Sequence, residues 1–209
     1  MKDKAKYILE VSVTEAEKNP DCDIIGLKIE KNEVEALKKL LPLINKPLMI
    51  RADTDVLLEV MKNLDRECII GIADENNYKK LVPPVIEGGH TLIIRTPIDI
   101  NLAKEMNILT SDMGLPLDKI LIDTDIGGIG YGFEYGYSIM EKIKLEDDKY
   151  LNMPIISFAA EETAKTKEAK DENMSLFLEI TAASAVKAAG ANYIVLTKSE
   201  AVKTMRGLE

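Results

Sequence analysis

The chain of 209 residues is poor in the side chains that most often build catalytic and metal sites, with one histidine and two cysteines. Cys22 and Cys68 lie far apart, and neither belongs to a Cys-x-x-Cys pair, so the sequence predicts buried reduced thiols and no zinc or iron–sulfur site. His90 follows Gly88-Gly89, where a helix is expected to end and a strand to begin. In a βα barrel the face at the start of the strands is associated with stability rather than catalysis, so a structural role is predicted for His90. No catalytic or metal-binding residue is therefore predicted.

Long apolar runs and an excess of positive charge are also missing. No apolar run approaches the roughly 20 residues of a membrane span, and the first four residues do not lead into a signal-peptide core. The net charge is −9, with 36 acidic and 27 basic side chains, which disfavours binding to nucleic acid or to an anionic membrane. We expect a cytoplasmic protein that binds neither nucleic acid nor a membrane.

The composition that remains is that of a folded domain. Hydrophobic residues make up 46% of the chain and charged residues 30%, as in ordinary globular proteins. No linker, repeat or low-complexity tract divides the sequence, so we predict one domain over residues 1–209.

Apolar strands alternate with amphipathic helices along the whole chain. The predicted strands are 24–29, 48–51, 68–73, 91–95, 119–123, 154–158 and 193–196. The predicted helices are 3–17, 32–41, 54–64, 76–87, 99–113, 133–146, 160–169, 174–189 and a last one from 199. Such alternation is typical of a parallel sheet covered by helices, which is either doubly wound or closed into a barrel.

One stretch has a composition unlike the rest. Asp123 ends an apolar strand, five glycines follow within residues 124–136, and helical spacing begins near Phe133. A glycine-rich loop lets backbone N–H groups approach a ligand, and the helix behind it points its positive end at the same place. The alternative is that the glycines only provide a tight turn.

The same stretch carries a family resemblance. Asp123 is followed by Gly-Tyr-Gly at 130–132, Glu-Tyr at 134–135 and Tyr-Ser-Ile-Met-Glu at 137–141. Further matching segments are DENNYK at 74–79, TPIDINLAK at 96–104, SDMGLP at 111–116, Met-Pro-Ile-Ile at 153–156 and Ala188, Gly190 and Ala191. Together they resemble the small (delta) subunit of the corrinoid iron–sulfur protein of the acetyl-CoA decarbonylase/synthase complex. The family's Pro-Thr-Thr after the aspartate is replaced here by Thr124-Asp125-Ile126, which adds a negative charge.

The resemblance implies an α/β fold of the TIM-type (β/α) barrel. Seven strands are predicted where such a barrel has eight, because the chain is read as beginning with a helix and lacking the family's first strand. A missing strand leaves unpaired backbone groups on both flanking strands, 24–29 and 193–196, which favours contact with another chain. We therefore predict self-association or obligate partnering through an open seam, with closure by seven strands as the competing outcome. Recruitment of the residues before Val11 into the gap is the least favoured alternative, because residues 3–17 lack clear strand alternation.

The resemblance also implies a function in methyl transfer. The barrel would support a corrinoid shared with the large (gamma) corrinoid iron–sulfur subunit, and the chain alone would bind no cofactor tightly. The first alternative is a pterin-binding methyltransferase-type barrel that holds a tetrahydropterin through Asp123 and Asn77. The second is a scaffold without a ligand. The candidate cofactor-binding residues all follow strand ends: Asn77, Thr96, Asp99, Asn101, Asp123, Thr124, Gly127, Gly128, Gly130 and Tyr131.

Overall fold

The computed structural model describes residues 4–208 and begins with a strand. The strands are β1 Lys6–Val11, β2 Ile24–Lys28, β3 Leu48–Arg51, β4 Ile69–Ala73, β5 Thr91–Arg95, β6 Ile120–Asp123, β7 Ile156–Ser157 and β8 Tyr193–Leu196. The helices are α1 Val13–Ala16, α2 Val34–Leu40, α3 Thr54–Met61, α4 Tyr78–Glu87, α5 Ile100–Asp112, α6 Phe133–Leu145, α7 Ala159–Thr163, α8 Glu172–Ala189 and α9 Ser199–Gly207. Short 3₁₀ turns lie at Lys31–Glu33, Leu41–Leu43, Leu117–Lys119 and Glu168–Lys170.

All of the strand pairings are parallel, in the order β6-β5-β4-β3-β2-β1-β8-β7. The two outer strands of this order meet through a single bridge between Ile122 and Ile155, and the Ile122 N–H donates to the Pro154 carbonyl at 2.9 Å. The sheet therefore forms a near-closed barrel of eight strands, and the predicted TIM-type fold is confirmed.

The prediction of a helix over residues 3–17 was wrong. Lys6–Val11 is a strand that pairs with both β2 and β8, because Tyr7, Ile8 and Leu9 are buried on both faces of the sheet. A separate short helix then starts after Ser12, whose side chain and that of Glu15 form a capping box.

The predictions of seven strands and of an open seam were both wrong, and for the same reason. β1 fills the place between β2 and β8, so the backbone groups of both strands find partners within the chain. Self-association through a gap at this position has no structural basis, because the gap does not exist.

The remaining boundaries differ from prediction mainly after residue 150. β7 has two residues where five were predicted, and α7 ends at Thr163 where a helix to 169 was predicted. α8 begins two residues early because the Asp171 side chain accepts the Met174 N–H at 2.9 Å and caps the helix.

The strands separate two apolar layers. Side chains that alternate along each strand point to opposite faces of the sheet, so one set fills the barrel interior and the other packs under the helices. The interior set consists of Ile8, Ile24, Met49, Ile93, Leu121, Ile156, Phe158 and Val195. The larger outer set includes Ile94, Ile122, Ile155 and Ile194.

The histidine and both cysteines lie in structural positions. His90, at the amino end of β5, is buried and its Nδ1 accepts the Cys68 N–H at 3.2 Å. Burial lowers the pKa of His90 and raises the pKa of Cys68 to about 12. Cys22 and Cys68 are free and buried, as predicted.

Candidate functional site

A layer of charged side chains closes the carboxyl end of the barrel interior. Glu10, Arg51, Arg95 and Asp123 each lie two residues beyond an apolar interior side chain, so they point into the same space. Arg51 donates to Glu10 from Nε at 2.5 Å and from Nη2 at 2.7 Å, and Arg95 donates from Nε to Asp123 at 2.5 Å. Strands β1, β3, β5 and β6 are thus joined by two arginine–carboxylate pairs.

Asp123 is the more deeply buried carboxylate of the two pairs. Asp123 is 1% exposed, and burial raises the pKa of its carboxyl group although Arg95 acts in the opposite direction. For Arg95 burial acts to lower the pKa, but the neighbouring Asp123 carboxylate raises it well above its ordinary value. The Asp123 carboxylate therefore binds the arginine and is not accessible to solvent.

A third carboxylate connects the two arginines. Glu161, on α7, accepts from Nη1 of Arg51 at 3.4 Å and from Nη2 of Arg95 at 3.3 Å. Both guanidinium groups also lie 5.0 Å from the centroid of the Phe158 ring, within the range of a cation–π contact. We call the five side chains Glu10, Arg51, Arg95, Asp123 and Glu161 the mouth network, because they are linked at the carboxyl end, or mouth, of the barrel.

Two of the predicted site residues lie beside Asp123 but face outwards. The Thr96 N–H donates to the Asp123 carbonyl at 2.9 Å, and the Ile98 N–H donates to the Thr124 carbonyl at 2.8 Å. The hydroxyls of Thr96 and Thr124 are buried, and so is that of Ser157 on β7; within residues 4–208 none of the three has a hydrogen-bond partner. Their strands place them beneath the helices, outside the barrel interior.

Asn77 is used to hold its own loop together. Its Nδ2 donates to Thr54 Oγ1 and to the Ile72 carbonyl, both at 3.1 Å, and its Oδ1 accepts the Asp74 N–H at 2.8 Å. The loop lies at the same carboxyl end of the barrel as Asp123, as the parallel topology requires, but the structure gives no direct contact between these two residues.

Asp99 and Asn101 lie at the start of α5. The Asp99 side chain caps the helix by accepting the N–H groups of Asn101 and Leu102 at 2.8 and 3.1 Å. Asn101 is exposed in the first turn. Both residues are at the predicted rim, and Asp99 has a structural function there.

The glycine-rich loop after β6 is folded tightly upon itself. Gly127, Gly130 and Gly132 have positive φ, and the N–H groups of Tyr131 and Phe133 both donate to the Gly128 carbonyl, at 3.1 and 3.2 Å. A side chain at Gly127 would meet the Gly132 carbonyl at 2.9 Å. The loop therefore requires its glycines for its own conformation, and it presents Tyr131, which is 84% exposed, at its tip.

Further apolar side chains are exposed around this loop. Ile129, Tyr131 and Tyr135 belong to the loop and the start of α6, while Met174 and Phe177 lie near the start of α8. The two helices pack against each other, and each begins at the carboxyl end of the barrel. We call these five residues the aromatic rim.

A pocket of about 250 Å³ lies on the opposite side of the mouth. It is lined by Lys28, Ile29, Glu30, Arg51, Ala52, Asp53, Thr54, Ile72 and Asn77. Asp53 precedes α3 without capping it by a side-chain hydrogen bond, so its carboxylate is available to a small molecule.

The sequence predictions missed most of the mouth network. Its members come from five parts of the chain, and Arg51 and Glu161 are separated by 110 positions. One signal was present, because β3 and β5 both end in an arginine directly after an apolar run.

Within residues 4–208, no group of three or more His, Cys, Asp or Glu side chains is arranged to hold a metal ion. In the same range, no helix is long and apolar enough to span a membrane.

Comparison with families and curated proteins gives one consistent result. A family described as the CO dehydrogenase/acetyl-CoA synthase delta subunit matches residues 2–205. The acetyl-CoA decarbonylase/synthase complex subunit delta of Methanopyrus kandleri is 26% identical over 135 residues, 59% of this chain and 34% of that protein. The subunit delta of Methanocaldococcus jannaschii is 29% identical over 94 residues, 43% of this chain and 23% of that protein. The matched stretches thus span about a third of these relatives or less.

Solved structures with a similar fold include dihydropteroate synthases. The enzyme from Thermus thermophilus has a TM-score of 0.72 at 14% identity and covers 100% of this chain and 93% of its own. The Xanthomonas albilineans enzyme with 4-aminobenzoic acid has a TM-score of 0.73 at 9% identity and covers 99% of this chain and 92% of its own. At these identities the likeness shows the barrel fold alone.

Proposed function

The chain belongs to the CO dehydrogenase/acetyl-CoA synthase delta subunit family, and on that premise we propose that it is a non-catalytic subunit of a methyl-transfer complex. Its barrel supports methyl transfer between a tetrahydropterin and acetyl-CoA synthase, through a corrinoid held together with the corrinoid iron–sulfur large (gamma) subunit. The names of the relatives support a complex of several subunits.

The aromatic rim is the observation that carries this proposal. Tyr131 is 84% exposed and Phe177 is 62% exposed, and large aromatic side chains at a surface are typical anchors of protein interfaces. They belong to the same end of the barrel as the glycine loop on which the family resemblance depends. An exposed aromatic surface of this kind is typical of a site that binds a partner protein.

A corrinoid fits the mouth only as a shared ligand. The mouth network occupies the centre of the barrel end, and the neighbouring pocket of about 250 Å³ is too small to enclose a macrocycle of that size. The rim can cover one face of a corrinoid whose other face is held by a partner. We therefore expect the chain alone to bind no corrinoid tightly.

The test is binding to the corrinoid-loaded large subunit, measured by biolayer interferometry. Tyr131→Ala and Phe177→Ala are expected to weaken binding by about tenfold each, the loss of a typical interface anchor. Leu145→Ala is the matched control, because Leu145 is 85% exposed but lies at the other end of α6. No binding by the unaltered chain, or equal losses in all three variants, would reject the proposal.

Direct pterin binding is the second candidate, and the pocket at Asp53 favours it. A carboxylate beside Thr54 and Lys28 offers acceptors and donors to the edge of a heterocycle. Isothermal titration calorimetry with a reduced methylpterin is expected to show binding that Asp53→Asn abolishes. If Asp53→Asn abolishes binding and Asp123→Asn does not, the pterin binds in this pocket and not at the buried Asp123. If neither the large subunit nor the pterin binds, the chain is a ligand-free scaffold.

A further inference from the structure

The contacts of Glu161 differ from those of the other carboxylates in the mouth network. Glu10 and Asp123 contact their arginines at 2.5–2.7 Å, whereas the two contacts of Glu161 measure 3.3 and 3.4 Å. Its side chain is 30% exposed, compared with 12% for Glu10 and 2% for Asp123. Glu161 is therefore the outermost and most loosely bound anion of the network.

The two arginines are held in place without Glu161. Arg51 uses Nε and Nη2 for Glu10, and Arg95 uses Nε for Asp123. Both guanidinium groups also contact the Phe158 ring. Each arginine then directs one remaining amino group, Nη1 of Arg51 and Nη2 of Arg95, at the bridging position. Two converging guanidinium donors are an arrangement that recognises carboxylate and phosphate groups.

The bridging position already holds one anion in the structure, the Glu161 carboxylate. Arg51 and Arg95 are balanced by Glu10 and Asp123, so the Glu161 carboxylate is the fifth charge and brings the total to −1. An external oxyanion that replaced it would restore the same contacts and, as a monoanion, the same charge. Glu161 lies on α7, which has only five residues and is followed by a turn region to Asp171, so moving it does not require moving a strand.

We propose that the bridging position is a binding site for a small oxyanion, a phosphate or a carboxylate group, and that Glu161 occupies it until the anion displaces it. The Glu161 side chain acts as an internal competitor, and its release removes the two hydrogen bonds that link α7 to the ends of β3 and β5. The site is independent of the aromatic rim and of any partner subunit, so it stands or falls separately from the proposed function.

Thermal unfolding with inorganic phosphate as the probe tests this competition. In Glu161→Gln the competing charge is removed while the side-chain size is kept, so phosphate is expected to raise the Tm at a concentration at least tenfold lower than in the unaltered chain. Sodium chloride at the same ionic strength controls for screening. Glu162→Gln is the matched control, because Glu162 is the next residue of α7 and pairs with Lys165 at the surface.

The expected order is a strong response in Glu161→Gln and weak, equal responses in the unaltered chain and Glu162→Gln. Equal responses in all three proteins, or the same response to chloride, would show a general ion effect only and overturn the proposal. No response to phosphate in any of them would overturn it as well.

Hydrogen exchange of the unaltered chain gives a second test that does not depend on the folding of a variant. Saturating phosphate is expected to increase amide exchange in Ala159–Thr163, because α7 loses its two hydrogen bonds to Arg51 and Arg95, while exchange in Leu48–Arg51 is unchanged or slower. Unchanged exchange in α7 at phosphate concentrations that shift the Tm would place the anion elsewhere and reject displacement of Glu161.

Discussion

The interior of the barrel changes from apolar to charged within one repeat of the strand. Ile8, Met49, Ile93 and Leu121 form part of the lower layer, and two residues further along the same strands are the charged side chains of the upper layer: Glu10, Arg51, Arg95 and Asp123. Burial of the lower layer stabilises the fold, because it removes apolar surface from water. In the upper layer the desolvation of the charges opposes the attraction between them.

This difference separates what maintains the fold from what is available for function. Apolar packing at the lower level is sufficient to fill the interior of a parallel barrel. Replacing ion pairs by apolar side chains is often neutral or stabilising in proteins, so the upper layer is not needed to fill space. A charged layer that is not needed to fill space fits the proposed recognition of an anion or a partner.

The largest expected effect comes from breaking one pair in the upper layer. Arg95→Leu leaves the Asp123 carboxylate buried without its partner, and it is expected to lower the free energy of unfolding by about 3–5 kcal/mol. In the double variant Arg95→Leu/Asp123→Leu both charges are gone, and most of that loss should be recovered. Urea denaturation of the three proteins measures this. A double variant as unstable as the single one would show that the charges themselves hold the mouth together.

The boundary between the layers is expected to resist added volume. A side chain at Gly26 on β2 would meet Met49 Cε at 3.0 Å, Ile8 Cγ2 at 3.1 Å and the Glu10 Cα at 3.1 Å. Since the last of these is backbone, Gly26→Ala should destabilise the chain by about 1–3 kcal/mol in chemical denaturation. Gly207→Ala is the control, because no atom lies within 4 Å of its added carbon. Equal stability of both variants would show that the interior is loosely packed.

The lower layer could largely be predicted from the sequence, and the strand that was missed is instructive. The apolar runs of β3, β5 and β8 gave both strand ends correctly. β1 was missed because Lys6 and Glu10 flank its apolar residues, as on a helix surface. In the structure Glu10 points into the barrel, where Arg51 neutralises it. The charge that hid the strand is thus a member of the mouth network.

The upper layer could be predicted only in part, because its contacts depend on the three-dimensional closure of the barrel. The strand-end position of Asp123 was predicted correctly, but its partner, Arg95, was not. Glu10 and Arg51 are 41 positions apart, and Arg95 and Glu161 are 66 apart. No local periodicity relates such residues. The functions predicted for Asn77 and Asp99 likewise did not account for the turn and helix cap that they stabilise.

A smaller effect is expected from Glu161, and it depends on pH. Burial of this carboxyl group acts against ionisation, but Arg51 and Arg95 together lower its pKa below the ordinary 4.5. A group with a lowered pKa in the folded state contributes stability above its unfolded pKa, and loses it as the pH falls through the folded value. Glu161→Gln should therefore cost about 1 kcal/mol at pH 7, and the difference should shrink as the pH falls below 4.5. Urea titrations from pH 3 to 7 measure it; a pH-independent difference would exclude an ionic contribution.

The smallest expected effect concerns the outward face of the strand ends, at the level of the upper layer. Thr124 is fully buried, and within residues 4–208 its hydroxyl has no hydrogen-bond partner. Burial of an unpaired hydroxyl opposes folding, whereas a methyl group of similar size does not. Thr124→Val is thus expected to leave the stability unchanged or to raise it by up to about 1 kcal/mol in urea denaturation. Thr163→Val is the control, because that hydroxyl donates to the Ala160 carbonyl at 3.1 Å and its loss should destabilise. If Thr124→Val lost as much stability as the control, the hydroxyl would have a partner in solution, and the outward face would belong with the charged layer as a second polar site.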